Sequence, residues 1–138
     1  MNFQDFIENR EVRKAEMDKI LAKSLLNTAK NDLLFFNNLK IDKNSARKIV
    51  SNCYDILRSI LEAISALDGY KVYSHEAFTY FLKEKHEDNL SIKFDRFRKI
   101  RNSINYYGKV IEIKEAEEIV KDIKAMINFL INKYLKGL

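Results

Sequence analysis

Between Ala46 and Leu67 the apolar residues Ile49, Val50, Cys53, Leu57, Ile60, Leu61, Ile64 and Leu67 recur every three or four positions. That spacing follows the roughly 3.6-residue turn of an α-helix and not the two-residue alternation of a strand. A stripe this long needs other helices packed against it, so it belongs in the middle of a core. It stops at Asp68-Gly69. The chain has no proline, and its three glycines, Gly69, Gly108 and Gly137, each stand where a helical pattern ends. Glycine there supplies the left-handed turn that terminates a helix.

The same period recurs on either side. Ala22, Leu25, Leu26, Ala29, Leu33 and Phe36 mark a long first helix from about Val12 to Leu39, and Phe3, Phe6 and Ile7 could make a separate turn before it. Asn38 to Asn44 breaks the pattern, and Asn44 or Ser45 is placed to cap the next helix. Ser74 can cap a short third helix with Ala77, Phe78, Phe81 and Leu82 on one face, closed by the polar run from Lys83 to Asn89. A fourth opens at Asn89 or Ser91, turns Phe94, Phe97, Ile100, Ile104 and Tyr107 inward, and ends at Gly108. The last starts near Glu112 to Glu115, acidic residues suited to a helix N-terminus, and packs Ala116, Ile119, Val120, Ile123, Ile127, Leu130 and Tyr134. No strand alternation is expected. The fold class is all-α, an up-and-down bundle of four to five helices, and residues 1–138 form one domain of ordinary size.

Several chemistries lack their residues. One cysteine and two histidines give no disulfide framework and no metal-ligand spacing. A di-iron bundle needs Glu-x-x-His pairs, but Val72 precedes His75 by three residues and Lys83 so precedes His86. No glycine-rich phosphate loop follows a strand. Neither metal nor cofactor is therefore expected. Cys53 lies on the apolar stripe and reads as an inert core thiol. His75, in the first turn after Ser74, and His86, in a mixed-charge loop, read as surface residues, with a general base at His75 the less favoured alternative. No apolar run approaches the roughly 20 residues that span a bilayer, and Met1-Asn2-Phe3-Gln4-Asp5 lacks the basic start and apolar centre of a secretory signal. A cytoplasmic location without membrane attachment is expected. The formal net charge of +5 leans mildly toward an anionic partner.

The fourth helix carries the most chemistry. At about 100° per residue, Arg98, Arg101, Asn102 and Asn105 fall on one strip beside the apolar face of Phe97, Ile100 and Ile104. Arg101 is about a sixth of a turn from the middle of that face. A guanidinium so close to a core requires a carboxylate, a carbonyl or an anionic ligand. Asp55 or Glu62 on the long helix could hold it as a structural strut. Lys93, Arg96 and Lys99 add basicity but point around the helix, which argues against one dedicated nucleic-acid stripe.

An all-α domain with a long helix ending in glycine, and a late helix carrying Arg101-Asn102 before the aromatic-glycine end Tyr106-Tyr107-Gly108, resembles the HEPN superfamily from about Ala22 to Tyr134. In that family the late helix carries an Arg-x4-6-His motif, often with a polar residue after the arginine. The resemblance implies a metal-independent ribonuclease that dimerises so that two motifs meet, in many cases a toxin paired with a small nucleotidyltransferase, or else a non-catalytic RNA-binding or scaffolding form. Here the allowed registers fall on Tyr106, Tyr107 and Gly108, so the motif histidine is missing. A phenol ionises near pH 10 in water, at about the reference value, and makes a poor proton acceptor at neutrality. The expectation is a HEPN-like module, non-catalytic or weakly catalytic, that binds RNA, a nucleotide or a protein partner through Arg98, Arg101, Asn102, Asn105, Tyr106 and Tyr107. The alternatives are a ribonuclease using Arg101, Asn102 and Tyr106 or a histidine from elsewhere, and a structural dimerising bundle.

Overall fold

A computed structural model describes all 138 residues, in the order α1 Phe3–Glu8, β1 Val12–Lys14, α2 Lys19–Asn37, α3 Ala46–Leu67, β2 Tyr70–Val72, α4 His75–Glu84, α5 Asp88–Tyr107 and α6 Ile113–Tyr134. The long apolar helix is the axis of the fold. α3 packs mainly on α2 and α6, and also touches α4, α5 and β2. Fourteen of its residues are buried, including the whole of the expected stripe except half-buried Leu67. Cys53 is fully buried, and burial pushes its thiol up to about 11 against a weaker pull from Lys124. It is therefore protonated and unreactive at neutral pH, as its place on the stripe implied.

All six helices feed one core cluster, from Phe3 and Phe6 of α1 to Leu130 of α6. The chain is mostly helical as expected, but with six helices instead of four to five, because α1 is a short helix in its own right. Asn2 forms its capping box, accepting from the Asp5 amide while the Asp5 carboxylate accepts from the Asn2 amide.

Two expectations need correction. Val12 does not begin the first long helix. Val12–Lys14 forms an antiparallel pair with Tyr70–Val72, in the register Val12 with Val72, Arg13 with Lys71 and Lys14 with Tyr70, and α2 starts only at Lys19, where Asp18 accepts from the Leu21 amide at 2.9 Å. A three-residue strand is too short to show alternation, so the stretch was absorbed into the neighbouring helical pattern. The pairing is fixed at its closed end by Gly69. Its φ of +83° is the left-handed value that favours glycine, and a Cβ there would lie 2.9 Å from the Ala15 carbonyl oxygen. The Ala15 amide donates to the Gly69 carbonyl at 2.8 Å, tying the entry of α2 to the exit of α3.

The second correction concerns caps. Ser45 stands at the N-cap of α3 but makes no side-chain cap. Its hydroxyl donates to the Lys40 carbonyl, while the Asp42 carboxylate accepts from the Asn44 and Ser45 amides, so Asp42 organises the turn. α5 starts at Asp88, with Glu87 at its N-cap position. Ser91, expected as a possible cap, is instead fully buried inside the helix and donates to the Thr79 carbonyl of α4. α5 does end at Gly108 as expected, with φ at +65°. No helix is long and apolar enough to cross a membrane.

Candidate functional site

Arg101 leaves the edge of α5 and runs over the buried Tyr54 ring of α3, its guanidinium carbon 5.7 Å from the ring centroid. Only 18% of its side chain is exposed. Its predicted partner is present, because Nη2 of Arg101 lies 3.5 Å from Oδ1 of Asp55. That distance is beyond an ordinary charge-assisted hydrogen bond. Nε of Arg101 and Oδ1 of Asp55 are both buried without a hydrogen-bond partner. The strut exists, but it leaves donor capacity unused.

Glu62, the other carboxylate considered, pairs with Arg58 at 3.3 Å on its own helix, and Nε of Arg58 is likewise buried and unpartnered. Arg98 is better satisfied. It forks onto Oδ1 of Asp95 through Nε and Nη2 at 3.2 and 2.8 Å, and Lys99 reaches the other oxygen of Asp95. These cations hold the Asp95 carboxyl below the usual range, overcoming the opposing effect of burial.

Sequence reasoning placed His75 on the surface, and the fold corrects this. The first turn of α4 points it inward, half-buried, with Nδ1 3.2 Å from the Tyr54 hydroxyl. Burial, then the fields of Arg58, Arg101 and Arg98 in that order, push its pKa down from 6.5 to about 4. It is a neutral imidazole at pH 7, among three guanidinium groups. Burial likewise drives the Tyr54 hydroxyl well above the usual phenol range despite the same arginines, so it stays protonated. If that hydroxyl donates to Nδ1, Nε2 carries the ring proton; if it accepts from Nδ1–H, the lone pair is on Nε2. Asp55 is pushed up by burial against the pull of Arg101 and Arg58.

The imidazole makes the site sensitive to acid. The folded chain takes up the His75 proton less readily than the unfolded chain, so its contribution to stability is complete above about pH 6.5 and is lost as the pH falls toward 4. For a half-buried ring, partly screened by solvent, about 1 to 2 kcal/mol is expected. Asp55 works in the opposite sense, so the effect is read as a difference between wild type and His75→Gln. Urea midpoints at pH 7 and pH 4.5 should fall further in the wild type than in the variant; equal falls would show that His75 is not held neutral by the fold.

The remaining predicted residues divide. Asn102 is half-buried next to Arg101. Asn105 accepts from the Ser51 hydroxyl at 3.2 Å and lines a groove of about 540 Å³ with Asn44, Arg47, Lys48, Ser51, Asn52, Asp55 and Ile104. Tyr106 and Tyr107 stand in solvent, 72% and 85% exposed. Tyr107 is therefore not the inward residue its place in the apolar pattern suggested. Tyr106 is five residues past Arg101, about 140° around the helix, and shares no recorded bond with it. The fold supplies His75 to the cluster through Tyr54, and Tyr106 does not take that place.

No group of His, Cys, Asp or Glu side chains is arranged to hold a metal ion. Comparison with family models, with characterised proteins and with solved structures returned no match. The residues themselves carry the functional argument.

Sequence reading missed Arg58, Tyr54 and His75 as one constellation. A signal was available. Arg58 interrupts the apolar run of α3 beside Leu57, whereas His75 enters through the docking of α4, which packs mainly on α5 and only lightly on α3.

Proposed function

We propose that this chain is a HEPN-like helical module that binds the phosphate of RNA or of a nucleotide at the Arg101 cluster, without catalysis or with weak catalysis. The observation that carries the reading is the unused donor capacity. The fields of Arg58, Arg101 and Arg98 reach a neutral imidazole, and the Nε–H groups of Arg58 and Arg101 are buried without acceptors. Buried donors without partners are uncommon in folded proteins and are expensive to leave unmade. A small shift of either side chain would turn an N–H toward solvent, where a phosphate oxygen supplies an acceptor that guanidinium binds with matched geometry. Asn102 and Asn105 can add neutral donors along the same strip, and the exposed rings of Tyr106 and Tyr107 offer stacking faces for bases beyond it.

Binding of a labelled single-stranded RNA, followed by fluorescence anisotropy at several salt concentrations, tests this reading. Affinity should fall as salt rises, because phosphate contacts release counterions. Absence of binding at low salt would count against it.

One observation favours a second reading, metal-independent RNA cleavage. His75 reaches the site from α4 in a chain that lacks the histidine of the resembled motif, and it is unprotonated at neutral pH. In that reaction the imidazole takes the proton of a 2′-hydroxyl, the 2′ oxygen bonds to phosphorus, and the 5′ oxygen leaves and is protonated by water. A bound phosphate would raise the basicity of the imidazole by offsetting the three guanidinium charges. Cleavage in the presence of a chelator, lost in His75→Gln, would support it; intact RNA after long incubation would leave binding alone. The Arg101–Asp55 pair favours the structural strut as the competing account. Dimerisation and a small nucleotidyltransferase partner of toxin-antitoxin type remain part of the proposal through the family resemblance.

A further inference from the structure

A groove of about 540 Å³ lies between the first turns of α3 and the last turns of α5, and seven of its eight lining residues are polar or charged. Three are amides, Asn44, Asn52 and Asn105, and one is the Ser51 hydroxyl. Arg47 and Lys48 are exposed and belong to no ion pair, whereas Arg58, Arg98 and Arg101 each face a carboxylate. Asp55 lines the groove and also meets Arg101, so groove and arginine cluster are continuous. Arg47 and Asp55 are eight residues apart on one helix, which places the free cations about 12 Å from the Arg101 end.

We infer that this groove is a further nucleotide subsite, holding one to two nucleotides of a single-stranded RNA next to the phosphate bound at Arg101, with the outer phosphate on Arg47 and Lys48 and base and ribose against the amides and Ser51. The inference rests on the phosphate-binding reading of the Arg101 cluster and extends it from one phosphate to a strand. Its chemistry matches the lining. Amides present both donors and acceptors, which suit base edges, and amide or hydroxyl groups can meet a ribose 2′-hydroxyl. A greasy helix or a lipid surface would find only Ile104 as an apolar contact here. Asp55 is the one carboxylate of the lining, and it lies at the Arg101 end where a guanidinium offsets its charge.

Two probes separate the subsite from the cluster it adjoins. A dinucleoside monophosphate has one phosphodiester and engages the Arg101 end; a single-stranded hexanucleotide also reaches the outer cations. The double substitution Arg47→Ala with Lys48→Ala changes exposed side chains on a long helix, so the fold should persist, checked by circular dichroism. It should weaken the hexanucleotide about 10-fold or more and reduce the salt slope by about 1 to 2, while leaving the dinucleoside monophosphate within about 2-fold. Arg101→Ala should weaken both probes. Asn52→Ala or Asn105→Ala should change the order of preference among homopolymeric hexanucleotides. If the double variant binds the hexanucleotide as the wild type does while Arg101→Ala does not, the groove is no subsite and the phosphate reading stands. Binding of neither probe by the wild type overturns both.

Discussion

Arg101→Ala is expected to lower affinity for a short single-stranded RNA about 10- to 100-fold, the loss of about 1.5 to 3 kcal/mol that goes with a charge-assisted contact. The same change should cost only about 1 to 2 kcal/mol of stability, mostly the packing lost over Tyr54. The Arg101–Asp55 contact is long, at 3.5 Å, and the Asp55 side chain is 38% exposed, so the pair contributes less than about 1 kcal/mol once screening is counted. Its removal also leaves Asp55 within the field of Arg58. Anisotropy titration alongside urea denaturation separates the accounts. A large loss of stability with unchanged RNA affinity would make Arg101 a strut.

The largest expected loss of stability is at Tyr54. This side chain is fully buried, stacked on Phe94 at 5.6 Å between centroids, and covered by the Arg101 guanidinium. Truncation to alanine opens a cavity beside the central helix and should cost about 3 to 5 kcal/mol, the usual range for a buried aromatic. Tyr54→Phe keeps the packing and removes only the hydroxyl that meets His75, for about 1 kcal/mol. A chemical-denaturation series of wild type, Tyr54→Phe and Tyr54→Ala should show that order. If the two variants are equally unstable, the hydroxyl–imidazole bond and not the packing dominates at this position.

Much of the fold was legible because helical period survives in sequence. The α3 stripe, the Gly69 and Gly108 stops and the start of α6 near Glu112 all follow from local pattern, and each occupies its expected place. The β1–β2 pair was not legible, since three residues hold too little alternation and the partner strand lies more than fifty positions away. Ser45 and Ser74 hold the expected N-cap positions but make no side-chain cap; the Ser45 hydroxyl goes to the nearby Lys40 carbonyl, and Ser91, inside α5, donates to a Thr79 carbonyl that only the folded chain brings near. Within the site, helical angle showed that Arg101 needs a partner and left Asp55 and Glu62 as candidates, of which the fold uses Asp55. His75 could not, because its role depends on how α4 docks against Tyr54 of α3, a packing that sequence period does not encode. Tyr106 shows the converse. A motif register pointed to it, while the turn of α5 carries it out into solvent.

The central claim is that a phosphate binds among Arg58, Arg98 and Arg101 next to His75. The imidazole is its built-in reporter. Its resonances can be followed by NMR through a pH titration, with and without saturating dinucleoside monophosphate. The account predicts a saturable shift of the His75 ring signals and a protonation midpoint that rises from about 4 when the anion offsets the guanidinium charges. A His75 midpoint that stays near 4 with RNA present, whether nothing binds or binding occurs elsewhere, would contradict it.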